Sequence, residues 1–286
     1  MIEIKKQSLS ETFSIYFDKR MLKILLLGAI SGFPWVLIGS SLSLWLKEDG
    51  LSRSTVGWAG LIFAVYAFNY LWAPLVDRIQ IPFLTKKIGH RRGWIVLMQS
   101  LILLSLFLWS IINPTENLAL VITVGLLIAV ASATQDITVD ALRIEQIGEN
   151  EGGAMAAGAA MAVVGWWSGY KLGGVLSLFS AEFLENAGFE NYWQLTFLIL
   201  GILIILMNIG LMFIHETGHE DRRIKQLEND KLISSKFIKQ NIFTLSLSWV
   251  AGTIGGPISS FFKKNGFQIA IGILSFVFLF KVGEAF

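Results

Sequence analysis

The sequence predicts an all-α integral membrane protein: an N-terminal six-helix transmembrane bundle, a cytoplasmic linker, and a seventh transmembrane helix that starts a second bundle. Three observations lead there. Of the 286 residues, 54% are apolar or aromatic and only 15% are charged, where soluble domains carry about 25% charged residues, and the mean hydropathy is +0.62. The apolar residues gather in runs of about 20, the length that crosses roughly 30 Å of hydrocarbon as a helix. The basic residues gather between alternate runs. The same figures exclude a disordered chain, a disulfide scaffold (there are no cysteines) and, at a net charge of +2, nucleic acid as a partner. Nothing in the sequence calls for a cofactor.

Spanning runs are read at 24–46, 56–76, 94–112, 118–142, 153–179, 192–214 and 267–286. The first is too long for a signal-peptide core and lacks a cleavage site, so it stays as a helix. Upstream of it, residues 1–20 form an interfacial lead-in: Ser8 and Glu11 have capping-box spacing, and Phe13 and Phe17 share one face beside basic residues. Nineteen of the 23 Lys and Arg fall in the N-terminus and in the loops 77–93, 143–152 and 215–266, while the opposite loops hold only Lys47 and Arg53. The positive-inside rule then places the N-terminus in the cytoplasm. The stretch 241–262 is long enough to span, but it carries Gly255, Gly256 and Pro257, and crossing would strand Lys263 and Lys264 outside. It is read as a weakly apolar segment on the cytoplasmic face within the linker 215–266. Six helices in residues 21–214, a charged linker and a new helix from 267 are the layout of one half of a two-bundle transporter plus the first helix of the other. The missing second bundle is expected in cis or in trans.

Ionisable residues at membrane depth are costly enough to be functional candidates. The fourth span carries Gln135, Asp136, Asp140 and Arg143 on neighbouring turns. Asp136 lies about 27 Å along the span and so near its cytoplasmic end, where the group would gate. For Asp140 and Arg143, an ordinary helix end reaching water explains the residues equally well. In the fifth span Lys171, flanked by Trp166, Trp167 and Tyr170, is favoured as a cavity-facing charge over one that snorkels to the interface. In the seventh, Lys281 and Glu284 share a face, and a desolvated Glu284 is the candidate proton-binding carboxyl. Trp35, Tyr66, Tyr70, Trp166 and Tyr170 are candidates to line a pocket for sugar faces, with core filling as the plain alternative.

Small residues mark helix contacts. Gly28 and Gly32 form a GxxxG pair in the first span, and Gly165, Gly169 and Gly173 repeat it in the fifth. Pro34 frees a backbone carbonyl at mid-membrane and predicts a kink there. His215-Glu216-Thr217-Gly218-His219 matches the zinc motif H-E-x-x-H. A glycine inside it, a site where the helix leaves the bilayer, and a third ligand that must come from nearby acids or distant His90 rank a membrane zinc protease well below transport.

The loop after the second span reads Ala73-Pro74-Leu75-Val76-Asp77-Arg78, an insertion from Ile79 to Ile88, then Gly89-His90-Arg91-Arg92-Gly93. It resembles the cytoplasmic loop signature of the major facilitator superfamily, Gly-x-x-x-Asp-Arg followed by Gly-Arg-Arg, in a split form. That form is similar to the AmpG-like muropeptide permeases and their acetyl-CoA-transporter relatives. Further likenesses are Ser31-Gly32-Phe33-Pro34, Leu71-Trp72-Ala73-Pro74-Leu75, Ala133-Thr134-Gln135-Asp136-Ile137, Gly169-Tyr170-Lys171-Leu172-Gly173 and Phe280-Lys281-Val282-Gly283-Glu284-Ala285-Phe286. The family commonly has Asp at the Glu284 position and often Arg at the Lys171 position. The resemblance implies a non-enzymatic, proton-coupled importer of peptidoglycan breakdown products, GlcNAc-anhydromuramyl sugars with or without peptide, in the bacterial inner membrane. Acetyl-CoA or another sugar conjugate is the alternative cargo. On this reading Asp77, Arg78, Arg91, Arg92, Asp140 and Arg143 form the cytoplasmic gate, Lys171 meets an anionic group of the substrate, and Glu284 carries the proton.

Overall fold

The computed structural model describes residues 9–147, 151–216 and 251–285, with positions 224, 228 and 249 besides. The expected cap Ser8, most of the linker and His219 lie outside these residues. Every regular element among the described residues is helical. The chain divides into two compact units, residues 1–65 with 81–216, and residues 66–80 with 217–286.

In the first unit, α1 (Leu9–Tyr16) precedes α2 (Lys19–Val36). Asp18 starts α2 by accepting the Arg20 N–H at 2.8 Å, which satisfies one of the donors a helix start leaves free. Arg20 also grips Glu151 with two bonds of 3.0 Å, tying the start of α2 to the start of α10 (Gly152–Asn186). The expected kink at Pro34 takes the form of a π turn over Leu37–Ser41, after which α3 (Leu42–Glu48) completes the first span. Proline has no N–H to give, and its ring crowds the carbonyl four residues back, so the regular ladder is interrupted there.

The helices α8 (His90–Trp109), α9 (Pro114–Glu145), α10 and α11 (Tyr192–Leu211) complete this unit, with α4 (Arg53–Ala59) and the short α7 (Leu84–Ile88). α2 packs on α10, α9 and α11, while α8 packs on α9 and α11. At one end, Leu27, Ile30, Ile95, Val139, Leu142, Leu211 and Ile214 form a shared core. At the other, the rings of Trp45, Trp109, Trp193 and Phe197 interlock at 4.9–6.0 Å. Glu48 accepts from Trp193 Nε1 at 2.6 Å and from the Tyr192 hydroxyl at 3.0 Å.

Among the described residues, five helical stretches are long and apolar enough to cross a membrane: Lys19–Glu48, Arg53–Leu71, His90–Trp109, Pro114–Glu145 and Tyr192–Leu211. The 35-residue α10 is long enough, but it is built of Ala, Gly, Trp, Tyr and Lys171 as much as of large aliphatics. The second span is less regular than its apolar run suggests. After α4 come a 3₁₀ turn (Gly60–Phe63), α5 (Ala64–Phe68), a second 3₁₀ turn (Asn69–Leu71) and α6 (Ala73–Arg78). Pro74 accounts for the last break, since it cannot donate to the turn before it.

The second unit begins within α5 and takes in α6, a π turn over Ala251–Gly255, α12 (Gly256–Asn265) and α13 (Phe267–Ala285). In it α6 packs on the π turn, and the Arg78 guanidinium lies 5.2 Å above the Trp249 ring.

Candidate functional site

The polar core of the first unit lies where α9 meets α2. Pro34 leaves the Ile30 carbonyl without its helical partner, and the Gln135 side chain takes that place, donating Nε2 to Ile30 O at 2.8 Å. Gln135 is fully buried. One residue on, Ser31 Oγ donates to Asp136 Oδ1 at 2.6 Å, within the short range of bonds to an ionised acceptor. Neighbouring side chains of α9 thus bind the backbone of α2 and a hydroxyl one residue further along it. The sequence singled out Gln135, Asp136 and Pro34, and the structure pairs Gln135 with the Ile30 carbonyl and Asp136 with Ser31. The readable signal was the spacing of Pro34 from Ile30, which names the free carbonyl but not the donor that reaches it.

On the other side of α2 the contact is backbone to backbone. A Cβ added to Gly28 would collide with the Ala162 carbonyl, and one on Gly32 with that of Trp166. In return, a Cβ on Gly165 would strike the Leu25 carbonyl and one on Gly169 that of Ala29. At Gly173 an added Cβ would come within 2.6 Å of the Phe33 ring. Further along, Ser41 Oγ and Ser177 Oγ pair at 2.7 Å.

The aromatic candidates of α10 stand beside this contact. Trp166 stacks on Tyr170 at 5.6 Å and an interplanar angle of 7°, and meets Trp35 edge-on at 5.4 Å; Trp35 in turn lies 4.9 Å from Phe63. Lys171 is exposed, with Nζ 5.5 Å from the Trp167 ring and 5.7 Å from the Tyr170 ring. Faces of indole and phenol attract a cation at such distances, so the ammonium is held against the aromatic patch. Phe63 completes a group that the sequence marked at Trp35, Trp166, Trp167, Tyr170 and Lys171. Tyr66 and Tyr70 fall in the second unit, the first buried and the second half exposed. Lys281 and Glu284 lie three residues apart on α13; their side chains are outside the described residues.

The expected gate residues divide. Asp77 and Arg78 end α6 in the second unit. Arg91, Arg92, Asp140 and Arg143 lie in the first unit and have partners there. Arg91 Nε meets Glu145 at 3.3 Å with both side chains largely buried, and Arg143 meets Asp140 at 3.2 Å. Arg92 Nη1 reaches the Met212 carbonyl at 3.4 Å. The start of α8 is closed by Glu216, whose Oε2 accepts the backbone N–H of Arg91 at 2.8 Å and of Arg92 at 3.3 Å. A carboxylate there satisfies free donors and meets the positive end of the helix dipole. Gly89 is required beside it, because its φ is +101° and a side chain would enter the space of the Glu216 carboxylate.

That cap bears on the zinc motif. H-E-x-x-H works when both histidines sit on one helix face, but α11 ends at Leu211, and His215 and Glu216 follow it in irregular chain. The His215 carbonyl accepts from Gln146 Nε2 at 2.9 Å, and Glu216 is engaged on α8. Among the described residues there is no cluster of His, Cys, Asp and Glu able to hold a metal.

The chain is 33% identical to a putative transporter AmpG 4 of Rickettsia conorii, over 95% of this chain and 58% of the relative. It is 34% identical to the protein of the same name from Rickettsia felis, with the same coverage. It is 28% identical to the anhydromuropeptide permease of Escherichia coli K12, over 97% of this chain and 48% of that protein. These names bear out the AmpG-like resemblance. The chain spans about half the length of the curated relatives it matches. Residues 24–286 match the profile of the Major Facilitator Superfamily. With its helical spans, this multi-pass membrane chain therefore belongs to the Major Facilitator Superfamily.

Proposed function

We propose that the protein to which this chain contributes is a proton-coupled importer of peptidoglycan breakdown products, GlcNAc-anhydromuramyl sugars with or without peptide, in the bacterial inner membrane. The observation that carries the reading is the pairing of an exposed cation with stacked rings. Lys171 lies against Trp167 and Tyr170, and Tyr170 stacks on Trp166. An ammonium suits the carboxylate of a muramyl sugar or peptide, and flat rings suit sugar faces. The name of the Escherichia coli relative supports the cargo.

The proton carrier in this reading is Glu284, with Asp136 as a second carboxyl whose bond to Ser31 depends on its ionisation. Residues 21–214 act as the first bundle, with a cytoplasmic N-terminus as the distribution of Lys and Arg requires. The linker 215–266 leads to the start of the second bundle at 267. Asp77, Arg78, Arg91, Arg92, Asp140 and Arg143 form the cytoplasmic end, where they hold helix ends in place as the bundles rock. Alternating access takes two bundles, so the second is supplied in cis or in trans.

The test is uptake of labelled anhydromuropeptide into proteoliposomes carrying the chain with its second bundle, driven by an imposed proton gradient. Lys171→Ala is expected to raise the substrate concentration for half-maximal uptake at least tenfold. Glu284→Gln is expected to abolish the dependence on the gradient. Unchanged gradient-driven uptake in both variants overturns the site assignment, and failure of the parent to carry muropeptide overturns the substrate.

A further inference from the structure

We propose that α12 is a binding helix for anionic phospholipid: a short amphipathic rod that lies in the plane of the membrane surface and engages phosphodiester headgroups through Lys263 and Lys264. Its ten residues, Gly256–Asn265, read GPISSFFKKN. At 100° per residue, Ile258, Phe261, Phe262 and Asn265 fall on one side, while Ser259, Ser260, Lys263 and Lys264 fall on the other. The structure agrees with this division. Both serines and both lysines are exposed, and Phe261 and Phe262 are half buried. Ile258 remains 52% exposed, so the apolar stripe has no full cover from the chain itself.

Its occupant follows from position and charge. One residue beyond Asn265 the chain turns at Gly266 and starts α13, whose first eleven residues are an apolar helix. The Phe262 ring lies 5.8 Å from that of Phe267, so the stripe of α12 continues into the first turn of the apolar helix. If α13 enters hydrocarbon, α12 lies at the depth of the headgroups with its phenylalanines toward the acyl chains. The helix has no acidic residue, and both cations sit in its last turn. Apolar anchors on one face and lysines on the other are the pattern of helices that rest in an anionic interface, where each lysine is held by the negative surface potential. The proposal depends on membrane insertion and not on any cargo.

The experiment is hydrogen exchange on the purified chain in nanodiscs of phosphatidylcholine alone, or with phosphatidylglycerol as a third of the lipid. Backbone exchange over residues 258–266 is expected to slow about tenfold in the anionic discs, and the slowing is expected to fade at high salt because headgroup attraction is screened. The double variant Lys263→Gln/Lys264→Gln should lose the difference between the two lipids, and Lys263→Arg/Lys264→Arg should keep it. Free glycerol phosphate at millimolar concentration should not compete, because the apolar stripe contributes only at a bilayer. Equal exchange in both discs, a difference that persists in the glutamine variant, or displacement by the free phosphate overturns the proposal.

Discussion

The two sides of α2 meet their neighbours by opposite means. Toward α10 the helix presents Gly28 and Gly32, and the partner's Gly165 and Gly169 return the approach, so backbone lies on backbone. Toward α9 the same two turns present Ile30 O and Ser31 Oγ, and the partner answers with Gln135 and Asp136. The first contact gains dispersion from every atom and has no alternative arrangement, because nothing in it can rotate. The second is made of side chains that can exchange partners, and one of them is a carboxyl whose bonds change with its charge. A seam that cannot rearrange and a seam that can therefore lie on one helix.

The largest expected effect would break the rigid side. Gly32→Ala or Gly165→Ala drives a methyl into the partner's backbone, which cannot step aside, and should destabilise by about 3 kcal/mol or more. Gly174→Ala, where the added atom meets nothing within 4 Å, should be nearly silent. Thermal unfolding of the purified variants measures the contrast, and similar losses at Gly32 and Gly174 would remove the close seam.

Next is the polar side. Gln135→Leu leaves the Ile30 carbonyl buried without its donor, a loss of about 1–3 kcal/mol. In a Pro34→Ala background the restored N–H can close the helical bond to Ile30, so the same Gln135→Leu change should cost much less. A double-mutant cycle on denaturation free energies reads this coupling, and additive losses would separate the two residues. Ser31→Ala should follow at about 1 kcal/mol, since Asp136 loses one donor but keeps part of its surface in contact with other groups.

The smallest effect concerns the end of the rigid side. Hydrogen bonds from Arg20 hold the Asp18 carboxyl below its usual 3.8. A lowered carboxyl contributes stability that is present above the ordinary value and lost as pH falls through the lowered one. Asp18→Asn should therefore lower the melting temperature slightly at neutral pH and flatten its fall on the acid side below about pH 4. An unchanged acid profile would mean that the clamp at the start of α2 and α10 contributes nothing.

Much of the fold was legible because bilayer and helix impose simple rules. Apolar runs of spanning length located the helices, and Pro34 located the break that the π turn occupies. The second span misled, since its apolar run from 56 to 76 conceals two 3₁₀ turns, and hydropathy does not register backbone geometry. The site was legible as residue types in pattern: Asp136 stood out as a charge at depth, and Lys171 as a cation among aromatics. Glu145 did not stand out, because an acid at a helix end is ordinary until its partner is known, and Glu216 stood out only as part of the zinc-like motif. The partners Arg91 and the start of α8 lie 54 and 125 residues away.

The sequence by itself determined the solvent, the number and order of the apolar runs, the family resemblance, and which backbone carbonyl would be free. These are local properties, set by composition, period and the chemistry of one proline. Only the tertiary structure decided that Gln135 would fill the gap, that Gly28 and Gly32 would face Gly165 and Gly169, and that the glutamate of a zinc-like motif would instead cap α8. Each of those depends on which helices become neighbours and in what register, and that choice is made by the packing of whole faces rather than by any residue alone.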